Sequence, residues 1–155
     1  LTDNAIAIKI KYPDEQFDAE SLLINPQNGD LYFVTKMYVG AAQVYKLSPP
    51  FVQNKTNVLQ NIGEIKVTNT PEGLFTGGEI SPDGERLVLC DYLQAYEFVL
   101  PNGAKNFDDI WKQTPQIVKL SERSQGEAIC YGDDGKAIFA TSEKRNSPLI
   151  KVARK

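Results

Sequence analysis

The sequence predicts an all-β protein assembled from three similar units, and three observations support this prediction. Each unit begins with an apolar strand, a polar turn and a second strand, at residues 19–36, 75–91 and 126–142. The turns end in Asn-Gly or Asp-Gly, which are strong hairpin signals because both residues tolerate a positive φ. The turn glycines Gly29, Gly84 and Gly135 lie 55 and 51 residues apart, so the units recur at a nearly constant spacing.

Each unit continues beyond its hairpin. Third strands are predicted at 42–47, 94–100 and 148–153, and fourth strands follow at 63–67 and 116–120. A repeat of about 50 residues with four strands fits one blade of a β-propeller. We therefore predict one domain over residues 1–155, a β-propeller with three blades at 18–67, 75–120 and 124–153.

The N-terminal residues 5–12 form a further predicted strand. In AIAIKIKY, isoleucines and Tyr12 alternate with alanines and lysines, which is the pattern of a half-buried strand. The third unit has no fourth strand of its own, and IKIK resembles the outer strands GEIKV and QIVKL. We therefore expect residues 5–12 to be a displaced outer strand that completes the last blade.

Two insertions interrupt the repeats. Residues 48–57 are a loop rich in proline and asparagine, and residues 106–113 are predicted to form a short helix capped by Asn106. The apolar face of this helix consists of Phe107, Ile110 and Trp111. Because Trp111 belongs to that face, we expect it to pack on the blade rather than to stack on a ligand.

The stretch ISPDGERLVL resembles the repeat hairpin of TolB-like and other WD-type β-propellers. DAESLLINPQNGDLYFVTK and QGEAICYGDDG resemble a family of mostly uncharacterised bacterial six-bladed propellers, in which similar stretches belong to the C-terminal half. The resemblance extends from about Asp18 to Val152. It implies half of a six-bladed ring, and it does not imply an activity, since propellers host enzymes, lectins and scaffolds alike.

Three blades do not close a ring, so the other half of the propeller is the expected partner. One solution is a homodimer in which residues 5–12 of each chain complete the last blade of the other. The second solution is an upstream half of the same protein. The resemblance and the start of the chain at Leu1 rather than at methionine favour the second solution, and the sequence leaves both open.

Composition excludes several other classes of function. The net charge of −3 gives no basic excess for nucleic acid or an anionic membrane, and no apolar run is long enough to span a bilayer. The chain has no histidine, so it cannot contain a Ser-His-Asp triad. Its two cysteines, Cys90 and Cys130, are expected to be buried apolar residues, with a disulfide between them as the alternative. We expect a soluble protein, with a secreted or periplasmic location favoured over others.

The candidate site lies at the mouth of the central channel, on the face opposite the hairpin turns. Two sets of equivalent positions reach this face: the starts of the innermost strands and the ends of the second strands. The predicted ligand-binding residues are Asp18, Glu20, Lys36, Thr76, Asp91, Tyr92, Glu127, Glu143 and Lys144. Glu79, within the second innermost strand, either faces the water-filled channel or is a buried group that needs a partner, and we expect it to face the channel.

Three interpretations of this site remain open. In the first, carboxylates and lysines bind a sugar, peptide or protein, with Tyr38 or Tyr92 stacking on it. In the second, Glu20 and Glu127 bind a divalent cation such as calcium, and the protein is a metal-dependent hydrolase of esters or phosphates. In the third, the mouth is a solvated rim of mixed charge. We favour the binding module and leave catalytic residues unassigned.

Overall fold

The structure is a computed structural model that describes residues 2–68 and 71–154. In these residues the chain forms fourteen strands and one 3-10 helix. The strands are β1 (Ile10–Lys11), β2 (Ala19–Ile24), β3 (Leu31–Met37), β4 (Ala42–Leu47), β5 (Asn57–Val58), β6 (Gln60–Ile65), β7 (Gly73–Leu74), β8 (Gly77–Ile80), β9 (Arg86–Cys90), β10 (Ala95–Val99), β11 (Gln116–Val118), β12 (Gly126–Tyr131), β13 (Ala137–Ser142) and β14 (Ile150–Ala153).

Three antiparallel sheets follow one another along the chain. The first has the order β2-β3-β4-β6, the second β8-β9-β10-β11 and the third β12-β13-β14. Their strands lie in the three predicted units, and the all-β class predicted from the sequence is confirmed. Among the described residues the three sheets do not close into a ring.

The hairpin turns of the three sheets lie side by side on one face, which we call the turn face. Gly29, Gly84 and Gly135 each have a φ between 65° and 77°, as their turn positions require. The Gln27 side chain donates to the Asp83 carbonyl at 3.2 Å, and Arg86 donates to the Gly135 carbonyl at 3.4 Å. These bonds link each turn to the next.

The innermost strands of the sheets are also adjacent, since β8 lies in contact with both β2 and β12. Gly77 makes this approach sterically feasible, because a Cβ there would lie 2.8 Å from the carbonyl oxygen of Glu127. Sheets packed side by side with their first strands together are arranged like the blades of a propeller. The ends of β3, β9 and β13 then lie on the face opposite the turns, which we call the mouth face.

The apolar run in β9 is buried on both sides. Leu87 and Leu89 pack against the first sheet, whereas Val88 and Cys90 pack against the third. Because alternate side chains of a strand point to opposite faces, a strand in a middle sheet needs apolar residues at every position. This burial explains why RLVLC lacks the polar alternation seen at the N-terminus.

The predicted helix is a 3-10 helix over Phe107–Lys112, and its three apolar residues are buried. Trp111 packs on Tyr32 with ring centroids 5.5 Å apart, which confirms its role in packing. Asn106 occupies the N-cap position, but its side chain makes no capping hydrogen bond, so that prediction was wrong. No helix in the described part of the chain is long and apolar enough to cross a membrane.

Residues 5–12 do not complete the third sheet within this chain. Only Ile10–Lys11 pair, in parallel, with Asn57–Val58 of the long loop. Tyr12 explains this position, because its ring packs edge-on against Tyr45 of β4 at 4.7 Å and against Phe17 at 5.3 Å. Residues 10–12 are therefore fixed beside the first sheet.

The two cysteines lie in different environments, and both are free thiols. Cys90 is buried between the second and third sheets, as expected. Cys130 is exposed, and the prediction that it is buried was wrong. Its neighbours Ile129 and Tyr131 face the second sheet, so alternation along β12 directs Cys130 to the outer face of the third sheet.

Candidate functional site

Two glutamates occupy equivalent β-bulges at the mouth face. The register of β2 on β3 shifts between Ala19 and Ser21, which leaves Glu20 as the extra residue. The register of β12 on β13 shifts in the same way between Gly126 and Ala128, which leaves Glu127 as the extra residue. Bulges are common next to functional sites because they redirect one side chain. The equivalence predicted for Glu20 and Glu127 thus has a structural basis.

Glu20 forms an ion pair with Lys36, the next-to-last residue of β3. Both carboxylate oxygens of Glu20 lie 2.8 Å from the Lys36 Nζ. Lys36 is buried, whereas about a third of the Glu20 side chain, 32%, is exposed. A ligand can therefore reach the carboxylate more easily than the ammonium group.

Two tyrosines complete the surroundings of Lys36. Its Nζ lies 5.1 Å from the ring centroid of Tyr92 and 5.9 Å from that of Tyr38, within the range of cation–π attraction. The Tyr38 side chain is exposed at the rim. We call Glu20, Lys36, Tyr38 and Tyr92 the mouth cluster.

The electrostatics of the mouth cluster keep Lys36 protonated. Burial alone would lower the pKa of the Lys36 ammonium, but the hydrogen bonds with Glu20 and Tyr92 and the charge of Glu20 raise it above its usual value. A separate hydrogen bond between Tyr38 and Tyr92 raises the pKa of the Tyr38 hydroxyl. Lys36 is thus a fixed cation and a hydrogen-bond donor rather than a base.

Two other predicted site residues hold the fold together. Thr76 is buried, and its hydroxyl donates to the Gly126 carbonyl at 2.6 Å, which joins the second and third sheets. Asp91 is buried as well and accepts hydrogen bonds from three groups that follow it closely in the chain. These donors are the backbone N–H of Leu93 at 2.7 Å, the backbone N–H of Gln94 at 2.8 Å and the hydroxyl of Tyr96 at 2.7 Å.

Near the third sheet, the predicted residues form a more open region. Gln125 donates to the Glu127 carboxylate at 3.0 Å. Glu143 and Lys144 are exposed in a turn that is closed by the Ser147 hydroxyl, which donates to both of their carbonyls. Asp18 is exposed beside the first sheet, where its carbonyl accepts the backbone N–H of Lys36 at 2.8 Å.

Arg123 is a buried residue of the mouth face that the sequence did not indicate. Its guanidinium donates to the carbonyls of Asp91, Gln94 and Thr141, so it links the second and third sheets. It also fills the space beside Gly126, where a Cβ would lie 2.0 Å from the guanidinium carbon. In the stretch KLSERSQG, Arg123 stands among polar residues and looks like an exposed loop residue. The sequence feature that accompanies its burial is Gly126, because only glycine leaves room for the guanidinium there.

Beside Arg123, an open groove of about 550 Å³ extends along the mouth face. Its walls combine two apolar side chains with the polar segment that precedes β12. The lining residues are Leu93, Leu120, Ser121, Glu122, Arg123 and Ser124. This groove lies between the second and third sheets and offers room for a ligand longer than the mouth cluster itself.

Glu79 does not face the channel as a free carboxylate. It is half-buried and accepts the backbone N–H of Tyr131, so it joins β8 to β12. A carboxylate in this strand satisfies a donor on the neighbouring innermost strand, which has no further strand on that side. Glu79 was expected to face the channel, and the structure instead gives its carboxylate a backbone partner on β12.

The described residues do not assemble a set of side chains that could bind a metal ion. Within residues 2–68 and 71–154, no three cysteine, aspartate or glutamate side chains come together to hold an ion. Glu20 pairs with Lys36, and Glu127 accepts a bond from Gln125. The calcium site at Glu20 and Glu127 stays a prediction.

The comparisons with known proteins add a distant structural likeness. No protein-family model and no curated protein matches the chain. Among solved structures, the chain is similar to TolB from Acinetobacter baumannii, with 14% sequence identity and a TM-score of 0.49. The match covers 88% of this chain and 30% of the TolB chain, so this chain spans less than a third of that protein. The propeller-like arrangement rests on the sheet order and the contacts between innermost strands.

Proposed function

We propose that this chain is a β-propeller-type binding module whose ligand occupies the mouth cluster. The observation that carries this proposal is the Glu20–Lys36 ion pair beside the exposed ring of Tyr38. An aromatic face next to a charged donor and a charged acceptor suits a sugar or a peptide, which offers both apolar faces and hydrogen-bonding groups.

The chemistry of the cluster favours binding over catalysis. Lys36 keeps its proton and has Glu20 as its counter-ion, so it is not poised as a nucleophile or a base. Lys36 instead holds the Glu20 carboxylate in place, and the exposed part of Glu20 can accept hydrogen bonds from ligand hydroxyl or amide groups. Metal-dependent hydrolysis has no specific observation in its favour.

Array binding followed by a matched pair of variants tests the proposal. The chain is applied to a glycan array and a peptide array, with and without a chelator. We expect a ligand whose binding is independent of divalent cations and is weakened about tenfold or more by Tyr38→Ala, because the stacking surface is lost.

Val99→Ala is the matched control, because Val99 is exposed at the turn-face end of β10. It should leave the affinity unchanged. Equal loss in both variants would contradict a site at the mouth cluster, and so would binding that disappears with the chelator.

A further inference from the structure

The outer edge of β14 is open. The first and second sheets have four strands on their main path, whereas the described part of the third sheet has three. Arg154 donates its backbone N–H to the Lys136 carbonyl, and the pairing of β14 with β13 continues this register. Since the direction of these groups alternates in an antiparallel pair, the N–H and C=O groups of Lys151 and Ala153 point away from β13. They form an edge that can accept another strand.

A groove runs beside this edge, between β14 and the outer strand of the second sheet. It has a volume of about 740 Å³, and its walls combine the apolar Val118, Ile138 and Val152 with the charged Glu97, Lys119 and Arg154. A strand added to β14 would direct alternate side chains into this groove, where they would cover apolar surface. A fourth strand added to the third sheet would therefore find backbone hydrogen-bonding partners on β14 and space for its side chains in the groove.

The two ends of the row of sheets are apolar. On the outer face of the first sheet, Leu22 and Ile24 are 60% and 59% exposed. On the outer face of the third sheet, Leu149 is 75% exposed and lies with Cys130 and Phe139 around a shallow apolar pocket. Under a two-fold axis, the first sheet of one copy meets the third sheet of the other, and this contact occurs twice.

The chain also carries an N-terminal segment that lies outside the sheets of its own fold and is bonded to the loop at Lys9, whose carbonyl accepts hydrogen bonds from Asn57. Residues 5–9 alternate Ile6 and Ile8 with Ala5, Ala7 and Lys9, and they belong to none of the sheets. Ile6 is 62% exposed. The segment is held at its base by the pairing of Ile10–Lys11 with the loop of the first sheet. It therefore starts at the end of the molecule that would meet the third sheet of a second copy.

We infer that two copies of this chain form a closed ring of six sheets, in which residues 5–9 of each copy add to the β14 edge of the other. The N-terminal segment of each copy then supplies the fourth strand that the third sheet of the other copy lacks. Each third sheet gains its fourth strand, and the apolar ends of both rows are covered. The occupant of these surfaces is a second copy, and the inference is independent of any ligand at the mouth cluster.

Light scattering during gel filtration tests the assembly directly. We expect a mass of twice the chain mass of 17.3 kDa. A mass equal to one chain would overturn the inference and would favour an upstream half of a longer protein as the occupant. A mass of three or more copies would overturn it as well.

Two variants test the exchanged strand. Ile6→Asp places a charge in the segment, and Ala153→Pro removes an N–H that points to the open edge without breaking a bond to β13. Each should weaken dimerisation about tenfold or more while the circular dichroism spectrum stays unchanged. Leu93→Asp is the matched control, since Leu93 is 66% exposed at the mouth face, and it should remain dimeric.

Thiol labelling provides a second readout that does not depend on these variants. The chain has two cysteines, of which Cys90 is buried within the protomer and Cys130 lies on the outer face of the third sheet. A maleimide should label Cys130 more slowly at concentrations where the dimer forms than after dilution to the monomer. Dimers that label Cys130 at the monomer rate, or that survive both variants, would contradict this mode of assembly.

Discussion

The mouth ends of the first and second sheets occupy equivalent positions in the repeat but differ in what they do. In the first sheet, a bulge presents Glu20 to Lys36 beside exposed aromatic surface. In the second sheet, Thr76 and Asp91 are buried, and their hydrogen bonds are used within the protein. Equivalent polar positions of a repeat can therefore have different roles. Some hold the protein together through buried hydrogen bonds, and others stay accessible to a ligand.

The largest expected effect comes from removing the buried carboxylate of the second sheet. Asp91→Ala leaves two backbone N–H groups and the Tyr96 hydroxyl without this acceptor. We expect the free energy of unfolding to fall by about 3 kcal/mol. Urea denaturation measures it, and a loss below about 1 kcal/mol would mean that Asp91 is not a structural residue.

Thr76→Val tests the link between the second and third sheets with little change in shape. The substitution removes the hydrogen bond from the Thr76 hydroxyl to the Gly126 carbonyl, which is buried. We expect a loss of about 1–2 kcal/mol in the free energy of unfolding and no change in ligand affinity. Weakened ligand binding at full stability would instead place Thr76 in the site.

Glu20→Gln should have a smaller effect on stability at neutral pH, about 1 kcal/mol, because the carboxylate is partly exposed. The raised pKa of Lys36 predicts how the stability that the Glu20–Lys36 ion pair contributes depends on pH. The stabilisation is fully present below pH 10.5, the ordinary pKa of lysine, and is lost as the pH rises through the folded-state pKa.

Urea midpoints of both proteins from pH 9 to pH 11 therefore check the ion pair. The advantage of the unchanged chain over Glu20→Gln should be constant up to about pH 10 and shrink above it. An advantage that grows with pH in this window would contradict a Lys36 pKa raised by Glu20.

Tyr38→Ala should have the smallest effect on stability, within about 0.5 kcal/mol, since the ring is exposed. It should nevertheless have a large effect on ligand affinity. A thermal melt of the variant checks the first statement, and a drop comparable to that of Thr76→Val would show that Tyr38 supports the fold.

The sequence predicted the features that depend on local chemistry. Asn-Gly and Asp-Gly placed the turns, the repeat placed the three sheets, and the alignment of units made Glu20 and Glu127 equivalent. These predictions succeeded because turn conformation and strand alternation are set by neighbouring residues.

Features that depend on distant partners could not be predicted in this way. Residues 5–12 were expected to complete a third sheet, and the packing of Tyr12 on Tyr45 holds their C-terminal end beside the first sheet of the same chain. Asp91 was expected to bind a ligand and Arg123 was not singled out, yet both are buried, and Arg123 donates to the carbonyls of Asp91 and Thr141 at the mouth ends of two different sheets. A burial pattern of this kind is decided by how the sheets pack.

The most direct test of a binding site on the first sheet is a titration of the isotope-labelled chain with the array-selected ligand, followed in a proton–nitrogen NMR spectrum. We predict that the largest shift changes occur at Glu20, at residues 36–39 and at Tyr92, with little change at the turn-face residues around Gly84. Changes concentrated on the turn face, or at Thr76 with none at Lys36, would contradict the account.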